Sequence, residues 1–365
     1  MTSTGRLRSF PFARYVFAVL LLLETYISLG SLSGLRAPPQ GWWAMLMTAP
    51  VLQRGDIIVN VAGYVPMGFF GVLAFATARQ PIWIAAIFAV TVCTAQSTVT
   101  EILESTMPAV SSNLADVFHN AVGALAGAVA AMIVATWMLS SRWLAGLRDR
   151  HLSPGWAGDL GLALLALWAL AMLAPRTLLF GVGDGRFAFG VLARDGLQPH
   201  VFLGIEAVVC ALAVLGFALV LRLTFTPGAW KLRALLLLAL IVSLGLRTVG
   251  FALFWSPSNA LLWTNAGALL GLSIGTLLAL ALISLAQRPA ALIAACSLSL
   301  SVLIVNVAPP HPSLWTARPL HSQRIAPLAV ASRTTAMLWP AAAIGFALIV
   351  AVSARSGRSA RRGQR

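Results

Sequence analysis

Ten acidic side chains occur in this chain, and five of them, Glu24, Asp56, Glu101, Glu104 and Asp116, fall in apolar stretches before residue 120. An ionisable group inside a bilayer costs roughly 2.5–3.5 kcal/mol or more, so such groups turn toward a bundle interior and mark function. Three short motifs carry them. In Asp56-Ile-Ile-Val-Asn60-Val-Ala-Gly63-Tyr64-Val-Pro66-Met67-Gly68, helical spacing puts Asp56, Asn60, Gly63 and Met67 on one face. Pro66 removes a backbone donor and kinks that helix. Thr94, Ser97, Thr98, Glu101, Glu104 and Ser105 form a stripe on the next segment. Two glutamates one turn apart repel, so one of them holds a proton or a cation sits between them. In the third, Asp116 and Asn120 share a face with Gly123 and Gly127. Three chemistries fit such residues: a structural knot of hydrogen bonds, a polar pocket for a ligand, or a metal site. For the metal, Glu-x-x-Glu and Asp-x-x-His119 offer ligand types without a recognised geometry. The pocket residues expected are Asp56, Asn60, Glu101, Glu104, Asp116 and Asn120, with Glu24 as a floor and no metal.

The elements that position these residues follow from composition. Hydrophobic residues make up 59% of the 365 and charged ones 10%, with mean hydropathy +0.88. Soluble domains carry about a quarter charged residues, which excludes an ordinary soluble enzyme, a disordered chain and a secreted disulfide scaffold. A span needs about 20 apolar residues. Ten such stretches are read, at 13–33, 56–78, 81–104, 115–140, 158–180, 200–222, 233–255, 259–286, 289–308 and 335–353. Open sheet edges cannot lie in lipid, and no barrel alternation is present. The expected fold class is an all-α, polytopic transmembrane helix bundle with both termini cytoplasmic.

The net charge of +15 would suggest nucleic acid in a soluble protein. Here its placement sets orientation. Arg6, Arg8, Arg14, Arg79, Arg142, Arg148, Arg150, Arg222, Lys231, Arg233, Arg288 and the arginines of 355–365 fall on the inside. Arg36, Arg54, Arg176, Arg186, Arg194, Arg318, Arg324 and Arg333 oppose them, and the bias agrees with the positive-inside rule. No nucleic-acid partner is expected. In this orientation the three motifs share one depth, near the outer ends of the second, third and fourth spans.

Gly123-Ala-Leu-Ala-Gly127 and Gly267-Ala-Leu-Leu-Gly271 each follow an asparagine, Asn120 and Asn265, and hint at an internal repeat. Cys93, Cys210 and Cys296 lack metal spacing and read as packing. His151, His311 and His321 read as loop residues, and the turn-rich Gly181-Val-Gly-Asp184-Gly reads as a plain loop rather than an ion site. There is no Gly-x-Ser-x-Gly and no P-loop.

At the three motifs the sequence resembles the VanZ-like family of membrane proteins. The stretch Asn60 to Gly68 looks like its second-helix pattern of Asn, aromatic, Pro and Gly. Thr100-Glu101-Ile-Leu-Glu104 looks like its Glu-x-x-Gln, and Asp116 to Gly127 like its Asp-x-x-x-Asn-x-x-Gly. Glu104 stands where the family usually has Gln, and Val110 where it tends to carry Arg. Arg54 and Arg247 are the nearest replacement counter-ions, and a pair between Arg247 and the acids is conceivable if the second half is a degenerate copy. The resemblance covers about 1–140. It implies an envelope-associated role in the plasma (inner) membrane, the namesake being linked to glycopeptide (teicoplanin) resistance, and it implies no established reaction. The expected organisation is a VanZ-like four-helix domain over 1–145, a second transmembrane region of about six helices over 146–354, and a basic disordered tail over 355–365. The expected partners are the lipid bilayer and a lipid-linked envelope precursor or amphiphilic drug, with no cofactor. The alternatives are a membrane enzyme using a carboxylate pair on a lipid-linked substrate, or a secondary transporter.

Overall fold

The computed structural model describes residues 11–29, 54–77, 80–106, 113–140, 142–174, 177–185, 199–226, 228–308 and 326–362. These residues form 11 α-helices. In chain order they are α1 (Pro11–Leu29), α2 (Arg54–Phe75), α3 (Ile82–Glu104), α4 (Leu114–Ser140), α5 (Arg142–His151), α6 (Trp156–Met172), α7 (Pro199–Thr224), α8 (Ala229–Phe254), α9 (Ala266–Leu282), α10 (Gln287–Val307) and α11 (Ala326–Arg362). Among the described residues the extended backbone pairs only at one isolated bridge, Leu152 with Phe225. Seven helices (α2, α3, α4, α7, α8, α10 and α11) are long and apolar enough to cross a membrane, while α6 and α9 are apolar but shorter. The protein is therefore an all-α, multi-pass membrane protein.

Every stretch expected to span carries a helix, but several boundaries differ. The fifth was expected over 158–180, yet α6 ends at Met172. Pro175 follows and cannot donate into a continuing helix. The eighth was expected from 259, where a 3-10 turn at Pro257–Asn259 intervenes and α9 begins only at Ala266. Asn265 caps it, its Oδ1 accepting the Ala268 N–H at 2.8 Å. A short polar helix, α5, occupies residues read as a loop. α11 runs on to Arg362, into the segment expected to be an unstructured basic tail.

The chain divides into two compact units, Met1–Gly146 and Leu147–Arg365. In the first, α1 to α4 pack around small side chains: Ala13, Ala85, Ala89, Cys93, Ala124, Ala128 and Ala131 are all buried. Lipid tails are as apolar as these side chains, so close backbone packing holds such helices together. α2 and α4 make the tightest pair. A Cβ at Gly123 or Gly127 would collide with the carbonyl oxygens of Val61 and Val65.

The second unit is built on aromatic packing. Trp168 stacks on Phe217 at 4.4 Å and on Phe180 at 5.5 Å, and Trp339 lies 4.6 Å away. The chain over 177–185 is neither helix nor strand, although Leu179 to Gly183 are buried. Non-helical backbone survives at such depth only if the protein satisfies it. Gly183 donates to Ala336 at 2.8 Å, and Asn306 donates to Gly183 at 2.8 Å and accepts from Gly185 at 2.9 Å. At the edge of this unit Arg148 clasps Asp159 through Nε and Nη2 at 3.2 and 2.6 Å.

Both units use one device. α9 carries Gly267, Gly271 and Gly275, where a Cβ would strike the backbone of Leu203, Ala207 and Ala211 on α7. In each pair an amide bonds a carboxylate across the helices: Asn60 to Asp116 at 2.7 Å, and Asn265 to Glu206 at 2.8 Å.

Candidate functional site

α4 begins where α3 ends, and Asn113 makes the joint. It precedes the first helical residue, so its side chain is placed to cap orphan N–H groups. Its Oδ1 accepts the Asp116 N–H at 3.1 Å, and its Nδ2 donates to Asp116 Oδ2 at 2.8 Å. Its own backbone N–H donates to Glu101 Oε2 at 2.9 Å. The cap of one helix is thereby tied to the last turn of the other.

From this joint the polar groups form two layers one helical turn apart. The upper layer holds Asn60 of α2, Glu101 and Glu104 of α3, and Asp116 of α4. Asp116 receives Asn60 at 2.7 Å as well as Asn113. Ser28 of α1 places its hydroxyl beside Glu104. Glu101 is in electrostatic range of Glu104 and Asp116, and Glu104 of Asp116 and Glu24.

The lower layer holds Tyr64 of α2, Gln96 and Ser97 of α3, and Asn120 of α4. Asn120 Nδ2 donates to Ser97 Oγ at 2.9 Å. Tyr64 donates to Gln96 Oε1 at 2.6 Å, and Gln96 donates to Thr25 of α1 at 3.1 Å. The rungs obey helix geometry. Ser97 and Glu101 are four residues apart on α3, as are Asp116 and Asn120 on the antiparallel α4, so Ser97 meets Asn120 where Glu101 approaches Asp116. The glycine contacts set this register, since Gly123 and Gly127 bring α4 onto the α2 backbone directly beyond the lower layer.

Of the residues expected from sequence, Asn60, Glu101, Glu104, Asp116 and Asn120 converge. Asp56 belongs to the first turn of α2, and its side chain lies outside the described residues. Glu24 reaches the Gly63 face of α2: a Cβ there would stand 4.0 Å from its Oε2. Among the described residues no three His, Cys, Asp or Glu side chains converge as metal ligands. Arg247 is committed within its own unit, donating to the carbonyls of Ala174, Thr177 and Leu178 and to the Thr177 hydroxyl. The Gly181–Gly185 segment is a loop, the buried irregular chain described above.

Sequence reasoning passed over Asn113, Gln96, Thr25 and Ser28. Asn113 had a signal, an asparagine three residues before an aspartate at the start of an apolar run, which is a capping pattern. Gln96 adjoins the hydroxyl stripe without continuing it.

The fold and this polar joint define a multi-pass helical membrane protein with a buried acid–amide cluster in its N-terminal unit. Residues 12–135, within the first unit, match the family model described as VanZ/LLP1, so this part of the chain is VanZ-like. No curated protein and no solved structure matches the chain.

Proposed function

We propose that the VanZ-like unit binds the polar head of a lipid-linked or amphiphilic envelope component. It would do so at the outer leaflet of the plasma membrane and so shield that component or exclude a drug from it. The carrying observation is the layered cluster in which α1, α2, α3 and α4 each direct polar or acidic groups to one end of an apolar unit. The residues are Asn60, Glu101, Glu104, Asp116 and Asn120, with Asp56 placed one turn before Asn60. The basic-residue bias supports assigning that end to the outer leaflet. Ile58, Ile102 and Phe118 are exposed at the same level, so a chain attached to the bound head would meet apolar surface.

The test is mass spectrometry of lipid retained by the purified full-length protein. Asp116→Asn and Glu101→Gln are expected to lose a species that the wild type retains. In a deletion strain the same variants should fail to restore glycopeptide tolerance, the phenotype linked to the family's namesake. Normal retention and full tolerance from well-expressed variants would end this reading.

One observation favours a second reading. Glu101 is 6% exposed and lies beside two other carboxylates, the arrangement in which one carboxyl stays protonated and serves as general acid. Turnover of a lipid-linked sugar or acyl substrate by purified protein, lost in Glu101→Gln, would establish an enzyme.

A further inference from the structure

We infer that a cavity at the other end of the first unit holds the phosphate of an anionic phospholipid. The cavity lies where α1 begins and α2 ends, has a volume of about 400 Å³, and is lined by Arg14, Phe17, Ala74, Phe75 and Thr77. Pockets that hold small ligands run from roughly 300 to 1,000 Å³. Along α2, Asn60 and Ala74 are separated by about 20 Å at a rise of about 1.5 Å per residue. The site is therefore distinct from the acid–amide cluster and does not rest on the function proposed for it.

Arg14 supplies the charge. Its side chain is exposed, and its Nε donates to the Ala74 carbonyl at 3.2 Å. That carbonyl is one of the four left over at the end of α2, so the bond caps the helix and fixes the guanidinium on the cavity wall. A guanidinium carries five N–H donors. Among the described residues only Nε has a partner, and no carboxylate pairs with this arginine. Both Nη groups thus keep their donors for a bound group. Their planar fork matches phosphate oxygens two at a time, and the Thr77 hydroxyl on the same cavity offers one donor more.

The apolar surface around the arginine selects a lipid. Phe17 and Phe75 meet edge to face with centroids 5.5 Å apart, so much of the wall is aromatic. On α1 a spacing of four places Ala18 and Leu22 in line with Arg14. Both are exposed, Leu22 at 71%, and they make an apolar track leading away from the guanidinium. A soluble phosphate would use the arginine and leave the track bare. A diacylglycerol would use the track and bring no anion. A phosphatidylglycerol serves both, with its phosphodiester on the fork and an acyl chain on the track. Arg14 also belongs to the basic residues that the positive-inside bias assigns to the cytoplasmic side, the leaflet whose anionic lipids attract such residues.

The test titrates full-length protein in maltoside detergent with dioleoyl phosphatidylglycerol, dioleoylglycerol or glycerol 3-phosphate and reads binding by native mass spectrometry. The expected result is at least tenfold tighter binding of phosphatidylglycerol than of either other probe. Arg14→Gln should lower it to the level of dioleoylglycerol while dioleoylglycerol binding is unchanged, which separates lost recognition from misfolding. Arg14→Lys keeps the charge without the fork and should retain part of the preference. Thr77→Trp fills the cavity with Arg14 in place and should abolish the preference as well. Equal binding of phosphatidylglycerol and dioleoylglycerol to the wild type, a preference that survives Arg14→Gln, or binding of none of the three overturns the inference. Glycerol 3-phosphate bound as tightly as phosphatidylglycerol would make this a site for soluble phosphate and overturn the lipid.

Discussion

Asn60 of α2 donates its Nδ2 to Asp116 Oδ1 of α4 at 2.7 Å. The bond joins the two helices that glycine packing already brings into backbone contact. Interhelical polar bonds in membranes average about 0.6 kcal/mol and reach about 1.7. A double-mutant cycle of Asn60→Leu and Asp116→Leu, read from unfolding midpoints in detergent, should give a coupling of roughly 0.6–1.7 kcal/mol. The Glu206 and Asn265 pair at 2.8 Å should give a similar value in its own unit. A coupling near zero at Asn60 and Asp116 would mean that packing alone fixes this pair.

The glycine contacts yield a sharper prediction. Any Cβ at Gly127 would collide with the backbone of Val65 and Phe69, which cannot swing aside as a side chain can. Gly127→Ala should cost roughly 1–3 kcal/mol by overpacking and separate the two polar layers. Gly146→Ala is the control, because no neighbour stands within 4 Å of the added Cβ. Alanine favours a helix there, so the midpoint should hold or rise. Equal effects at the two positions would refute close packing of α2 on α4.

Much of this site is legible in the sequence because helical period and membrane cost act together. Glu101, Asp116 and Asn120 are too polar to face lipid, and spacings of three and four residues put them on interior faces. Gly123 and Gly127 announce close approach before any helix is placed. Asn113 and Gln96 escape because their roles depend on the partner helix: a cap is visible locally, but its backbone N–H reaching Glu101 is not. In the second unit the apolar run continues past Met172, so hydropathy reads one long span. The break is set by Pro175 and by tertiary contacts from Asn306 and Arg247, which no local pattern encodes. Arg247 itself reads as a candidate counter-ion for the acids, although its Nη1 and Nη2 donate within the second unit.

Orientation can be checked directly. Cys93 and Cys210 are buried and Cys296 is exposed, so Cys296→Ser gives a quiet background for labelling. In it, Asp149→Cys on α5 should react with a membrane-impermeant maleimide only after permeabilisation. Ser258→Cys, between α8 and α9, should react on intact cells. Both positions are exposed. The reverse pattern would invert the topology and move the acid–amide cluster to the cytoplasmic leaflet.

Arg247 carries the last prediction. It is 1% exposed, stacks 4.9 Å over Phe251, and donates to three backbone carbonyls in the chain that follows α6. The carbonyls of Ala174 and Thr177 lie beyond the helical ladder and are bonded by this side chain, whereas that of Leu178 also accepts the Gly181 N–H at 2.9 Å. A hydrogen bond to a charged group contributes about 1.5–3 kcal/mol, and a lost partner leaves a desolvated group behind. Arg247→Met should therefore destabilise the second unit by about 3 kcal/mol or more. Hydrogen exchange should speed up at Val182 and Gly183, where the irregular chain is pinned. Arg247→Lys keeps the charge but loses the planar fork that spans several carbonyls, so it should recover only part of the loss. The Asn60–Asp116 coupling in the first unit should be unaffected by either change. Unaltered exchange over 177–185 in Arg247→Met would show that Asn306 and Ala336 hold this chain without the arginine.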